Sequence, residues 1–325
     1  MSVVAIEHLQ LALSGNQVLR EVSFSLEEGE CRALVGESGS GKSLTAMCLL
    51  GLAPPNAVLN AEQFSVMGQP LPAQGHRDWR GWRGRRIAMI FQNPMTALSP
   101  TRTIGAQLSE CFRLHRNMDR RQARAESAAL LERLAIPRAE QRLSQYPFEF
   151  SGGMLQRVMI ALAVACRPKL LIADEPTTAL DVTVQAEVLA LLRELQHEQG
   201  TSLLFISHDL GVVANIADTV SVMYAGETVE SASVASLLRH PAHPYSEALQ
   251  AAMPRLHSRE ITVAIPGSPP DMRGTIHGCA FAPRCKHRMA ICEDSPPLLI
   301  SPRGAGVRCW RWHPDYPERW RLQHD

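Results

Sequence analysis

The sequence has few aromatic residues and almost no lysine. Phe, Trp and Tyr make up 5% of its 325 residues, and only three of the 33 basic residues are lysines. The formal net charge at pH 7 is +1, which argues against bulk attraction of the chain to nucleic acid or anionic lipid. A hydrophobic content of 45% supports a full core, and the length allows one large domain with an appendage, or two domains.

Long apolar runs are also missing. The best candidate, 158–173, is interrupted by Arg167-Pro168-Lys169, so we expect no membrane-spanning segment. Residues 1–7 lack the basic start and apolar core of a secretory signal, which favours a cytosolic protein. In that compartment the eight cysteines are expected to be reduced thiols or metal ligands.

Basic residues and tryptophans are concentrated in one short stretch, 77–86, which contains five arginines and two tryptophans. Such a mixture can indicate a nucleic-acid patch. The alternative is a solvated loop that precedes the apolar strand at 87–91. We favour the loop, and no nucleic-acid partner, because the net charge gives no wider basic field.

A glycine-rich stretch begins at residue 36 and fits the phosphate-loop pattern of glycine, four residues, then Gly-Lys-Ser. Its members are Gly36, Glu37, Ser38, Gly39, Ser40, Gly41, Lys42 and Ser43. Lys42 is predicted to reach the β- and γ-phosphates of a nucleotide, and the Ser43 hydroxyl to hold Mg²⁺. A chain that uses arginine nearly everywhere has a lysine here, where a compact ammonium suits phosphate oxygens.

Strand and helix patterns alternate around this loop, which predicts an α/β fold with a mostly parallel sheet. The predicted strands are 31–35, 87–91, 170–173 and 203–206, and the predicted helical stretches are 44–50, 104–135 and 184–199. Residues 3–35 alternate and turn like strands. After about residue 240 prolines become frequent and periodicity fades, which indicates a separate C-terminal segment, 241–325, with little core of its own.

Two further motifs carry chemistry. The apolar strand at 170–173 ends in Asp174 and Glu175, which are placed to bind the Mg²⁺ hydration shell and to polarise an attacking water as general base, respectively. Ser151, Gly152 and Gly153 precede an apolar helical stretch and provide a serine cap with bare backbone amides, a second candidate anion site.

Together these motifs resemble the ATP-binding cassette (ABC) ATPases, a family with the RecA-like P-loop fold. Gln92 resembles the family's Q-loop glutamine, Ala179-Leu180-Asp181 its D-loop, and His208 its switch histidine. The finer resemblance is to the ATPases of oligopeptide, dipeptide and nickel importers. It runs through 90–98, 146–154 and 172–183, and through the tail segments 243–249, 266–270 and 283–285. Leu13 stands near the position where the family usually has an adenine-stacking aromatic residue.

The resemblance implies a cassette over 1–240, with a helical subdomain at about 95–155 and the C-terminal extension behind it. It implies binding of ATP and Mg²⁺, with Ser43, Gln92 and Asp174 on the metal side. Glu175, His208 and Gln92 are the implied catalytic residues, and each ATP lies between the phosphate loop of one cassette and Ser151, Gly152, Gly153 and Asp181 of a second.

The same resemblance implies the partners: a second, different ABC ATPase subunit, two transmembrane permease subunits and a solute-binding protein. It places the chain peripherally at the cytoplasmic face of the inner membrane, importing peptides or, alternatively, nickel or a metal chelate. A soluble ABC ATPase outside transport is disfavoured, because no second cassette or long coiled-coil insertion is present. A degenerate, non-enzymatic cassette is disfavoured by Glu175 and His208.

Four cysteines lie in the last fifth of the chain: Cys279, Cys285, Cys292 and Cys309. Their spacing is not the paired C-x-x-C of zinc ribbons. Four thiols in a proline-rich segment suggest a metal staple, and some members of the resembled branch carry a 4Fe–4S cluster on four such cysteines. The alternatives are a zinc site and unligated thiols.

Overall fold

The computed structural model describes residues 2–178, 180–253, 264–300 and 306–314, and its chain forms two compact units. One, the helix-rich unit, contains Glu27–Glu30 and Pro72–Ile206. The other, the strand-rich unit, contains Ser2–Leu26, Cys31–Leu71 and the described residues from Ser207 onward. Among the described residues no helix is both long and apolar enough to cross a membrane.

The strands are β1 (Ser2–Leu13), β2 (Asn16–Glu27), β3 (Cys31–Val35), β4 (Val58–Asn60), β5 (Gln63–Val66), β6 (Gln69–Pro70), β7 (Ile87–Ile90), β8 (Leu170–Asp174), β9 (Ser202–Ser207), β10 (Thr219–Tyr224), β11 (Glu227–Ser233), β12 (Leu299–Ile300) and β13 (Gly306–Arg308).

The helices are α1 (Lys42–Leu49), α2 (Trp79–Trp82), α3 (Pro94–Ala97), α4 (Ile104–Arg116), α5 (Arg120–Arg133), α6 (Ala139–Arg142), α7 (Gly152–Val164), α8 (Val182–Gln199), α9 (Leu210–Ile216), α10 (Val234–Arg239), α11 (Pro244–Ala251) and α12 (Ile291–Asp294). Short 3₁₀ turns lie at Pro147–Glu149, Ala282–Arg284 and Trp310–Trp312.

The strand-rich unit orders its strands β6-β5-β1-β2-β11-β10-β3, and β4 and β13 pair with β1 and β11. β3 and β10 run parallel, whereas β10 and β11 form an antiparallel hairpin. The hairpin turns through Ala225 and Gly226, both at positive φ, and such a two-residue turn joins antiparallel strands. The prediction of a mostly parallel sheet is therefore wrong for this unit, whose pairings are mainly antiparallel.

The helix-rich unit contains the parallel strands β7, β8 and β9, as predicted. All residues of these strands are buried. The predicted helical stretch at 104–135 is two helices, because Asn117 adopts a left-handed conformation that ends α4. Asp119 then starts α5 with a capping box, in which it and Gln122 each accept a backbone N–H from the other.

The tryptophans of the basic stretch have an internal packing role. Trp79 and Trp82 are buried, and the guanidinium groups of Arg83 and Arg86 lie 5.0 and 4.6 Å from the centres of their respective rings. These distances are typical of cation–π contacts. The tryptophan rings are therefore covered by side chains of their own segment.

The C-terminal segment has more core than the sequence indicated. Tyr245 is fully buried and Phe281 nearly so, and their ring centres lie 5.3 Å apart. Tyr224 of β10 completes this cluster, 4.6 Å from Tyr245 and 5.3 Å from Phe281. Widely spaced aromatic residues leave no periodic signal in a proline-rich sequence, which is why this packing was not predicted. The domain boundary near residue 240 stays a prediction.

Candidate functional site: a phosphate loop and a strand-end carboxylate

The loop Gly36–Ser43 lies between β3 and α1 in the strand-rich unit. Gly36, Gly39 and Gly41 have φ values of 153°, 81° and 103°. A Cβ on Gly36 would lie 2.1 Å from the Met223 carbonyl oxygen, and one on Gly41 would lie 2.5 Å from a methyl group of Leu19. Only glycine fits these two positions, since they combine a left-handed backbone with close neighbours.

Lys42 begins α1 and its side chain folds back over the loop. Its ammonium donates hydrogen bonds to the backbone oxygens of Gly36, at 2.7 Å, and Glu37, at 2.9 Å. The residue is only 5% exposed. Ser43 follows in the first turn of the helix, half-buried. The loop thus combines a buried ammonium with the amide end of an eight-residue helix, an arrangement suited to a polyphosphate.

The strand-end carboxylates lie in the helix-rich unit. Asp174 is the last residue of β8 and is 5% exposed. Glu175 follows with φ at +47°, and its N–H donates to the Ile206 oxygen at 3.0 Å. A non-glycine residue in this region is strained, and such strain clusters at functional sites.

Side chains from two different segments donate to the same oxygen, Oε2, of the Glu175 carboxylate. The Gln92 amide donates to it at 3.1 Å and the Thr178 hydroxyl at 2.9 Å. The structure therefore brings together Gln92 and Glu175, which the sequence placed in separate motifs. Thr178 was not predicted as a site residue, although its position three residues after Glu175 in a turn could have indicated it.

Ser151 caps the 13-residue helix α7, and its hydroxyl accepts the Met154 N–H at 3.4 Å. Ser151 and Gly152 are exposed. A Cβ on Gly152 would meet nothing within 4 Å, whereas one on Gly153 would lie 3.3 Å from Val184. No contact within the described part of the chain requires a glycine at 152, so an open amide surface here is compatible with a ligand or a second molecule.

The other residues predicted for the site lie at helix starts or strand ends. Asp181 caps α8, since its carboxylate accepts the Val184 N–H at 2.9 Å. Ala179 of the same predicted loop lies outside the described residues. His208 is exposed and follows β9 in the strand-rich unit, next to Asp209, the cap of α9. Leu13, at the end of β1, is half-buried.

Burial raises the pKa of three of the C-terminal cysteines, Cys279, Cys285 and Cys309. Burial raises the pKa of Cys279 to about 12, and the neighbouring Cys292 and Cys285 raise it further. Burial also raises the pKa of Cys309 to about 12, with Cys279 and Cys285 adding to the effect. The Cys279 N–H donates to the Cys292 oxygen at 2.8 Å. Within the described residues, however, no three Cys, His, Asp or Glu side chains are grouped closely enough to hold a metal ion.

Two family models match the chain. The one described as ABC transporter matches residues 19–178, and the one described as oligopeptide/dipeptide transporter, C-terminal region, matches 229–292. Curated relatives match over most of the chain. The probable D,D-dipeptide transport ATP-binding protein DdpD of Escherichia coli is 47% identical over 96% of this chain and 97% of its own length. The oligopeptide transport ATP-binding protein OppD of Bacillus subtilis is 46% identical, covering 93% and 86%.

Solved structures share the fold. One titled as the ATP binding subunit of an ABC transporter has a TM-score of 0.60 and 27% identity, covering 73% of this chain and 92% of that chain. CbiO1 of Clostridium perfringens, titled as part of the ABC transporter complex cbiONQ, has a TM-score of 0.64 and 24% identity. It covers 74% of this chain and 91% of that chain, and shows the fold alone.

Proposed function

The chain belongs to the ATP-binding proteins of the oligopeptide/dipeptide ABC transporters, and on that premise we propose that its ATP hydrolysis drives the uptake of peptides. It is an ABC-type ATPase that uses ATP and Mg²⁺ and works with permeases and a binding protein at the membrane. That the solute is a peptide is supported by relatives named as dipeptide and oligopeptide transport proteins. Nickel or a metal chelate is the alternative solute.

The observation that carries the catalytic part is the contact between Gln92 and Glu175, directly after Asp174 at the end of β8. We assign Glu175 as the general base that takes a proton from the attacking water. Gln92 orients that carboxylate, and Thr178 donates to the same oxygen, Oε2, from the turn that follows Glu175. His208 is proposed to stabilise the reacting phosphate.

The phosphate loop is assigned to nucleotide binding. Lys42 exchanges its carbonyl partners on Gly36 and Glu37 for the β- and γ-phosphate oxygens. A bound Mg²⁺ would neutralise charge on the phosphates. Ser43, Asp174 and Gln92 are the proposed residues on the metal side, and all three offer the oxygen atoms that Mg²⁺ prefers.

Dimerisation is proposed to complete each ATP site. Ser151, Gly152 and Gly153 offer an exposed cap and open amides at the start of α7, and Asp181 caps the nearby α8. We propose that these residues bind the nucleotide held by a second ATPase subunit. We propose a different chain as that subunit, and the cytoplasmic face of the inner membrane as the location.

The cysteines support a further, narrower proposal, a 4Fe–4S cluster on Cys279, Cys285, Cys292 and Cys309. Its support is the resemblance of the four-cysteine tail to cluster-bearing members of the same branch. Within the described residues the cysteines are not grouped closely enough to hold a metal ion, so cluster binding would require them to move together. Protein purified without oxygen should contain about four irons per chain. Stoichiometric zinc without iron would reject the cluster, and metal-free protein would reject both metals.

Uptake measurements test the proposed solute. Cells deleted for the gene should lose uptake of a labelled dipeptide or oligopeptide, and the wild-type gene should restore it while Lys42→Ala should not. Loss of nickel uptake with normal peptide uptake would overturn the peptide assignment. Normal uptake of both would overturn the transport function itself.

A further inference from the structure

Glu37, the second residue of the phosphate loop, is bound by an arginine 247 positions further along the chain. The two terminal nitrogens of Arg284 donate to the two carboxylate oxygens of Glu37 at 2.6 and 2.9 Å. The Arg284 side chain is 3% exposed and that of Glu37 is 27% exposed. This is a bidentate arginine–carboxylate pair, whose two parallel hydrogen bonds are strong and fix the orientation of both side chains.

The rest of the Arg284 guanidinium is fixed by its own surroundings. Its Nε donates to the Pro266 oxygen at 2.8 Å, and a terminal nitrogen donates to the Tyr224 hydroxyl at 3.3 Å. Arg284 also ends the 3₁₀ turn that directly precedes Cys285. The arginine is therefore held rigidly in the C-terminal segment and presents one edge to the loop.

A second contact holds the backbone of the same loop residue. The Glu37 N–H donates to the Tyr245 hydroxyl at 2.8 Å. Tyr245 is fully buried and packs against Tyr224 and Phe281. The side chain and the main chain of Glu37 are thus both bound by residues that follow β10.

These contacts affect the proposed nucleotide site through Lys42, because its ammonium donates a hydrogen bond to the backbone oxygen of Glu37. They also bear on it through charge. An uncompensated carboxylate in the loop would repel a polyphosphate, and the guanidinium neutralises it. A loop already ordered in its binding conformation also loses less entropy when ligand binds.

From these contacts we propose that Arg284 is a positioning residue for ATP binding: it orders the phosphate loop and cancels the charge of Glu37. The C-terminal segment thereby sets the affinity of the loop for the nucleotide. This inference rests on the proposed assignment of the loop to ATP, and the variants below separate the two.

The first test measures KM for ATP and kcat in the assembled transporter. Arg284→Gln should raise KM about tenfold, the size expected for one charge-assisted hydrogen bond, with little change in kcat. Arg284→Lys keeps the positive charge but cannot form the bidentate pair, so it should raise KM by less than Arg284→Gln does. Arg273→Gln is the matched control, because Arg273 pairs with Asp271 in the same segment but is 83% exposed, and its KM should be unchanged.

A second substitution distinguishes positioning from a merely structural role. Adding Glu37→Gln to Arg284→Gln removes the uncompensated carboxylate, so the double variant should recover part of the lost affinity. A KM that stays as high as in Arg284→Gln, or rises further, would overturn the charge argument. If Arg284→Gln fails to fold, Arg284→Lys decides: an unchanged KM in that variant rejects the proposal.

Lys42→Ala separates this inference from the proposed function. If Lys42→Ala loses ATP binding while Arg284→Gln keeps the wild-type KM, only the role of Arg284 is wrong. If Lys42→Ala binds ATP normally, the assignment of the loop itself is wrong.

Discussion

At the scale of single residues, Glu175 combines a strained backbone conformation with a carboxylate that is held by side-chain hydrogen bonds. Its left-handed backbone turns the carboxylate out of β8, and its N–H stays satisfied by Ile206. Gln92 and Thr178 then both donate to one oxygen of the carboxylate, Oε2. A general base works only when it is aimed at the proton that it removes, and these contacts would orient Glu175 in the role proposed for it.

Glu175→Gln should bind MgATP with nearly wild-type affinity and lose most of its turnover. The amide keeps the shape of the side chain but cannot take a proton, so we expect kcat to fall by about 10²–10⁴-fold. ATP binding by calorimetry and phosphate release by the transporter measure the two effects. Turnover at the wild-type rate would show that Glu175 is not the base.

His243 predicts a pH dependence of stability. Burial lowers its pKa to about 3, and its Nδ1 accepts the Tyr245 N–H at 3.0 Å, so the ring is neutral. In the unfolded chain the imidazole has its ordinary pKa of about 6.5, so it takes up a proton below that pH. The free energy of unfolding should therefore fall as pH drops below about 6.5, by roughly 1.4 kcal/mol at pH 5.5.

The control for that effect is His243→Asn, which offers a cap oxygen but does not titrate. Denaturant unfolding at pH 7.5 and 5.5 should show a smaller loss of stability in the variant than in the wild type. Equal losses in both proteins would mean that His243 does not carry the acid sensitivity.

At the scale of elements, periodicity and motif context predicted individual strands and helix starts. The buried run at 170–173 lies in β8, and Ser151 caps α7 as predicted. The hairpin at Ala225–Gly226 was missed, because a turn without Asn or Asp gives a weak sequence signal. The split of the 104–135 stretch was also missed, since an asparagine in the left-handed conformation leaves little trace in composition.

Ser151→Arg tests the role of α7. The side chain would project from an exposed helix start, so ATP binding by the single chain should persist, while ATP-driven association of two ATPase subunits should be blocked. Ser144→Arg, another exposed serine of the same unit, is the control and should associate normally. Light scattering measures the association. If the two variants associate equally well, the proposed contact of Ser151 is contradicted.

At the scale of the whole molecule, the sequence indicated the phosphate loop and a cysteine-bearing tail but not their connection. Arg284 and Glu37 lie far apart in sequence, and neither has a pattern that pairs them. Such long-range ion pairs depend on packing that brings distant segments together, here the aromatic cluster of Tyr224, Tyr245 and Phe281. Local sequence patterns hold no information on that packing.

The central claim is that this ATPase drives peptide import, and coupled transport tests it most directly. The subunit is assembled with its permeases in proteoliposomes, supplied with binding protein and a labelled dipeptide or oligopeptide, and given MgATP on the ATPase side. We predict that peptide accumulates on that side with wild-type protein and not with Glu175→Gln. Peptide accumulation at the wild-type rate with Glu175→Gln, or ATP hydrolysis by the wild type with no peptide movement, would contradict the account.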